Sequence, residues 1–267
     1  MYDVGVSSAP RSEIQLPAFR LGLDSSCDRL SPPRGPPRFH HPRRRGLERS
    51  FASLNLSWAT GDDPEKVAEN QRRVLEVFGH PPVAALNQIH SSVVHAVSGP
   101  GTWEGDGLLT TTPGLLLRVG VADCYPVLLE DPATGAVGAL HAGWRGVVAG
   151  ILPTALERMR EHYGSRMKDV RVAIGPGICG QHFQVGPEVA ERFAQAGLET
   201  FWPDPNVPGR YRLDLLKALK LQATQAGILP SHLWALGACT FAEARFFSHR
   251  RDGGKTGRMW GVIQAKR

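Results

Sequence analysis

Residues 120–150 read GVADCYPVLLEDPATGAVGALHAGWRGVVAG. Two apolar runs, PVLLED (126–131) and AVGALHAG (136–143), flank PATG at 132–135. Proline, threonine and glycine between two strand-like runs predict a tight antiparallel connection. Beyond the second run, GVVAGILPTALERMREHYG (146–164) sets Val147, Ile151, Ala155 and Met159 on one helical face. Pro153 either kinks that helix or marks where its regular part begins. An antiparallel hairpin feeding a helix argues for mixed sheets with covering helices and against a doubly wound parallel sheet.

The surroundings have the same texture. FASLNLSW (51–58) opens the globular region, and DDPEKVAENQRRVLEVFG (62–79) predicts a helix with an acidic start, Pro64 and a glycine stop. VAALNQIH (83–90) reads as a strand ending at His90, and GLLLRVGVADC (114–124) as another. VRVAIGPGIC (170–179) is a strand running into a Gly-Pro loop. PEVAERFAQAG (187–197) and LDLLKALKLQATQAG (213–227) are helices closed by glycine. ARFFSHRRDGGKTGRMWGVIQ (244–264) reads as strand, glycine-rich turn, strand.

The chain has 267 residues, 42% of them hydrophobic, enough for one large core. Mean hydropathy is −0.21. No apolar run approaches the ~20 residues that span a bilayer. The first residues lack the basic and apolar regions of a signal peptide, so a cytoplasmic protein without a membrane role is expected. The net charge is +6, but residues 1–50 carry nine arginines against five acids and hold most of that excess. Aromatics do not interleave with those arginines, so nucleic acid is not the expected partner. Residues 1–48 are rich in Pro and Arg without apolar period and are expected to be a disordered or loosely attached extension to a domain at 49–267. Cys27, Cys124, Cys179 and Cys239 form no CxxC pair and read as reduced thiols.

His90, Cys124 and His141 each lie where a predicted strand ends beside loop-forming residues. Strand ends on one sheet edge can converge. Two imidazoles and a thiolate form a borderline-soft set that suits zinc with a fourth position open. The spacing matches no zinc finger or ribbon, so a nucleophile–base pair and plain core packing stay open beside the metal.

The strings SLNLS…GDDPEKVAENQRRVL, NQIHSSVV, GDGLLTT, VADCYPVLLED, HAGWRGVVAGIL, AIGPGIC, ACTF and FFSHRRDGGKTGR occur in the order of a known family. From about Ser53 to Val262 the chain resembles the multicopper polyphenol oxidase (laccase-like) family, now described as zinc-dependent purine nucleoside phosphorylases. The resemblance implies a single α+β domain in four layers, helix–sheet–sheet–helix, with mixed sheets. It implies zinc, with copper as the alternative metal, on His90, Cys124 and His141. It further implies cleavage of adenosine, inosine and 5′-methylthioadenosine with phosphate, and deamination of adenosine, by a monomer or homodimer.

Within those strings, Cys124, His141 and Asp106 are the expected catalytic residues, and Asn55, Arg145 and Arg250 the expected substrate-binding ones. Guanidinium groups suit phosphate, and Asp106 is placed to accept from ribose or base, unless it is only the turn residue of an Asp-Gly pair. Cys179 and Cys239 are expected to pack near the site without ligating. The chain departs from the family where HFQVG stands for the usual YEVG: Gln184 replaces a carboxylate and Phe183 a tyrosine. Three other classes remain to be weighed: a copper phenol oxidase, a cysteine hydrolase using Cys124, and a non-catalytic module for cell-wall-precursor quality.

Overall fold

The computed structural model describes residues 20–22, 51 and 54–266. The PATG segment turns β7 (Tyr125–Asp131) back as β8 (Ala136–Ala142), in antiparallel register from Tyr125 opposite Ala142 to Asp131 opposite Ala136. Asp131 ties the turn by accepting from the Ala133 N–H and the Thr134 hydroxyl, both at 2.9 Å. Every residue of both strands is buried. They are continuous apolar runs because both faces of their sheet are covered.

That sheet has six strands in the order β13 (Leu233–Ala235), β9 (Arg171–Ile174), β7, β8, β5 (Gly107–Thr110), β3 (Val94–Ala96). Its outer pairs, β13–β9 and β5–β3, are parallel and the inner ones antiparallel. A five-stranded sheet packs on one face: β1 (Arg20–Gly22), β14 (Met259–Gln264), β6 (Leu116–Val121), β2 (Val83–Asn87), β4 (Gly101–Glu104), again mixed. Leu108, Leu128 and Ala139 meet Leu86, Leu117, Val119 and Ile263 between the sheets. The other face of the six-stranded sheet is covered by α2 (Trp144–Val148), α3 (Ile151–Tyr163) and α5 (Leu215–Gln225), with Ile151, Leu152, Leu156 and Leu219 in its core. On the far side α1 (Pro64–Val77) lays Val74 and Leu75 on Leu116, Trp260 and Val262. The result is helix–sheet–sheet–helix, as the resemblance implies. A small antiparallel sheet of β10 (Gln184–Val185), β12 (Tyr211–Leu213) and β11 (Phe201–Pro203), next to α4 (Pro187–Gln195), is added to it.

Three expectations change. β2 stops at Asn87, so His90 stands on a loop and not at the strand end. The helical stretch after β8 breaks at Gly150, whose φ of +80° is left-handed, and Pro153 falls in the first turn of α3, where its missing N–H leaves no gap. ARFF is not a strand. Phe246 and Phe247 instead plug a pocket of Val121, Ala122 and Met259. The Arg251 guanidinium takes the local carbonyls, Thr240 O at 2.7 Å and Phe246 O at 2.8 Å, that a neighbouring strand would have used.

Within residues 1–48, expected as an extension, Arg20–Gly22 pairs antiparallel with the edge of β14, Leu21 opposite Gly261. Residues 1–48 are rich in Pro and Arg without an apolar period, a composition that supports no core of its own. A chain beginning at Ser50 is therefore expected to fold cooperatively, with a thermal midpoint lowered by a few degrees, since about 1 kcal/mol corresponds to ~2–4 °C at this size. Calorimetry on the shortened chain checks this, and failure to fold would make β1 an essential strand.

Candidate active site

Cys124 closes the loop entering β7, and His141 is the penultimate residue of β8. The register sets Pro126 opposite His141, so thiol and imidazole emerge at one sheet edge. His90 reaches that edge from the loop after β2, with a left-handed φ of +59°. Its ring meets that of His141 edge-on, centroids 4.8 Å apart. One ligand atom from each of His90, Cys124 and His141 lies within 4.8 Å of the others. Gly143 keeps this space open: a Cβ there would stand 3.0 Å from both Cys124 Sγ and His90 Cδ2.

Asp106 stands behind the three, fully buried, just ahead of β5. One carboxylate oxygen meets His141 Nδ1 at 2.7 Å and accepts from the His90 N–H at 3.1 Å. The other accepts from the Ser91 N–H at 2.6 Å, the Ser91 hydroxyl at 2.8 Å and the Ile89 N–H at 3.3 Å. Burial opposes ionisation of this carboxyl, but the bonds from His141 and Ser91 outweigh it and hold it at about 2. Its acceptor sites are taken within the protein, where it orients His141 and the 89–91 loop. Burial likewise would raise the Cys124 thiol. The His141 charge and hydrogen bonds from both histidines bring it down to about 6. With Nδ1 committed to Asp106, His141 turns Nε2 to the thiol side, the carboxylate-backed arrangement of metal-binding histidines. An imidazole–thiolate–imidazole set with a fourth side towards a pocket fits zinc, and its soft sulfur also suits copper.

Asp123, next to Cys124, was missed by sequence reasoning. Its φ is +84° and its side chain is nearly buried. It accepts from the Thr240 hydroxyl at 2.6 Å and the Arg250 N–H at 2.7 Å, while its carbonyl accepts from the Ile178 N–H at 2.9 Å. Three loops, GPGIC, ACTF and SHRR, thus converge on the residue that aims the thiol. A left-handed non-glycine costs roughly 1–2 kcal/mol. Two of the three in the described chain, His90 and Asp123, sit at this centre.

The centre opens into a pocket of about 750 Å³. Arg145 and Arg250 both line it, as do Arg118 and Arg258, which the sequence reading had not singled out. Arg118 is half-buried 4.5 Å from the Trp260 ring, burial lowers its pKa, and among the described residues no carboxylate pairs with it. Arg145 lies 4.5 Å from the Trp144 ring, also without a carboxylate. Arg250 lies over Phe183 at 5.2 Å and donates to Gln184 O at 2.9 Å. Arg258 donates to the Thr256 and Gly257 carbonyls at 3.0 Å. The signal for Arg118 was one arginine inside an otherwise apolar strand. Asn55 is not in the pocket wall. It is buried, holds Thr60 and Asp62, and accepts from the Arg258 N–H at 2.9 Å, so it positions Arg258 and the Trp58 loop. Phe183 is in the wall, whereas Gln184 turns away and donates to Asp204 at 2.6 Å.

The four-layer α+β fold sets a His–Cys–His centre at a sheet edge beside an arginine-lined pocket. Residues 39–266 match the family described as multi-copper polyphenol oxidoreductase laccase, and the chain belongs to that family. It is 47% identical over 216 residues, 80% of this chain and 82% of the relative, to a Deinococcus radiodurans protein named purine nucleoside phosphorylase. It is 38% identical over 80% of its length to a Geobacillus stearothermophilus protein named purine nucleoside phosphorylase YlmD, covering 84% of it. The crystal structure of YlmD from that organism superposes with a TM-score of 0.75 at 34% identity, covering 85% of this chain and 89% of that one. Bacillus licheniformis YfiH, a hypothetical protein, gives 0.74 at 32%, covering 81% and 87%. The names of these relatives support a function like that of a purine nucleoside phosphorylase.

Asp106→Asn places an N–H₂ group among donors. Urea unfolding should show a loss of about 2–4 kcal/mol, because buried N–H groups lose their acceptor and His141 its partner. An unchanged midpoint would remove Asp106 as the organising contact.

Proposed function

We propose that this chain is a zinc-dependent purine nucleoside phosphorylase. On this reading it cleaves adenosine, inosine and 5′-methylthioadenosine with phosphate, deaminates adenosine as a side activity, and works in the cytoplasm as a monomer or homodimer. The observation that carries it is the group of four pocket arginines, two of them without hydrogen-bond acceptors or carboxylate partners among the described residues, beside a His–Cys–His centre. The half-buried Arg118 guanidinium is costly without a counter-charge unless an anion completes it, and the exposed Arg145 adds a free guanidinium at the same pocket.

His90, Cys124 and His141 would hold the metal, which supplies a Lewis-acid centre with one position open to substrate or water. Arg118 and Arg145 bind phosphate through charge-assisted hydrogen bonds, and Arg250 closes over Phe183. Trp58, half exposed at the pocket rim, and Phe183 offer faces for a purine. In the reaction a phosphate oxygen bonds to C1′ as the C1′–N9 bond breaks. The bonding pair leaves with the purine, which takes up a proton. The arginines hold the anion in line and stabilise charge as it redistributes.

Purified protein should release adenine from adenosine only with phosphate, and form less inosine without it, both read by chromatography. Arg145→Ala should lower phosphorolysis by about 10–100-fold and deamination far less, since only the first needs the anion. Equal loss would move the phosphate site elsewhere. No adenine at any phosphate concentration, with bound copper and oxidation of phenols instead, would replace this reading with the oxidase.

Elemental analysis of Cys124→Ala should show loss of the zinc held by this centre. Full occupancy would remove Cys124 from the ligand set.

A further inference from the structure

Outside the site described, the described residues hold one more convergence of soft and borderline donors. Cys179 ends the GPGIC loop, His182 follows three residues later, and Cys239 arrives from the ACTF loop. A tight turn, with the His182 and Phe183 N–H groups donating to Cys179 O at 2.9 and 3.0 Å, folds His182 back over Cys179. His182 Nδ1 lies 3.2 Å from Cys179 Sγ and 3.5 Å from Cys239 Sγ. The Cys179 N–H donates to Cys239 Sγ at 3.3 Å, and the three ligand atoms lie within 4.8 Å of one another. Stacking on Phe241, centroids 4.8 Å apart, fixes the imidazole plane. The Gly177–Cys239 bridge and the Cys239 N–H bond to Glu243 at 3.1 Å fix the other loop.

As a hydrogen-bond network this arrangement returns little, because one ring nitrogen faces two sulfurs that are weak partners. As a ligand set it is well formed. Zinc bonds of ~2.3 Å to sulfur and ~2.0 Å to nitrogen at a tetrahedral angle put the two donors about 3.5 Å apart. The S–N distances here are within a few tenths of an ångström of that span. Two cysteines and a histidine with a water in fourth place make a known zinc composition, and Cys179 and His182 are only half-buried, so water reaches the open side.

We propose that Cys179, His182 and Cys239 form a second metal site, for zinc, distinct from the His90–Cys124–His141 centre. This reverses the expectation that the two cysteines only pack. Binding joins the GPGIC and ACTF loops, displacing two thiol protons. Both loops hold Asp123, through the Ile178 N–H and the Thr240 hydroxyl. The second zinc is a clamp on the residue that aims Cys124, and it exists whether or not the chain acts on nucleosides.

The test uses the whole chain, loaded with zinc chloride, dialysed against a weak chelator and analysed for metal. Wild type should hold about two zinc ions per chain, Cys124→Ser about one, and a Cys179→Ser/Cys239→Ser double variant about one. In the Cys124→Ser chain, where the second cluster is intact, cobalt(II) should give a thiolate-to-metal charge-transfer band in the near ultraviolet, weakened by adding His182→Ala. Circular dichroism confirms that each variant is folded. Should the double variant not fold, the Cys124→Ser chain alone decides. The proposal is overturned if Cys124→Ser holds no zinc and gives no cobalt band, if a folded double variant keeps the wild-type stoichiometry, or if peptide mapping under argon finds a Cys179–Cys239 disulfide.

Discussion

The structure of the site depends on one buried carboxylate. Asp106 gathers the His141 ring, the 89–91 backbone and the Ser91 hydroxyl on two oxygens, the carboxylate and the His141 ring themselves buried. A buried charge is tolerable only when its hydrogen bonds are made, so the network is satisfied as a whole or breaks as a whole. It holds His90 in a left-handed conformation, sets which nitrogen of His141 turns to the thiol, and ties the loop after β2 to the edge of the other sheet. The two-sheet sandwich and the His–Cys–His centre are joined there.

Asp123 does the same from the opposite side. Its strained backbone is overdetermined by three bonds from three loops, and strain of that kind persists only where the surroundings impose it. Asp106 orients an imidazole and Asp123 aims a thiol, so neither ligand side chain depends on its own local preference. The pocket beyond carries the opposite charge. Three of its arginines, Arg118, Arg145 and Arg250, lean on aromatic faces, Trp260, Trp144 and Phe183, which hold the guanidinium planes.

Much of the fold was legible because local signals agreed with the global answer. The PATG turn between continuous apolar runs specifies the central hairpin. Pro64 with its acidic start specifies α1, and His90, Cys124 and His141 stand beside loop-forming residues. The misreadings share one cause, a tertiary contact competing with a local pattern. Phe246 and Phe247 look like strand residues, but Arg251 takes the local carbonyls and the two rings fill a hole. Asn55 and Asp106, expected at the substrate and in catalysis, are buried polar groups whose partners only the tertiary structure supplies. Both are fully buried and hydrogen-bonded to neighbouring loops.

By itself the sequence determined the period of each element, the turn between β7 and β8, the donor types available at the sheet edge, and the family. These are properties of residue type and order, carried by short-range sterics and hydrophobic pattern. Only the tertiary structure decided what lies next to what. It brought Arg118 and Arg258 to the pocket with Arg145 and Arg250, placed Asp123 under three loops, and set Cys179, His182 and Cys239 within bonding reach of one point. Convergence of that kind depends on sheet packing and loop closure between residues far apart in the chain, and spacing along the sequence carries no record of it.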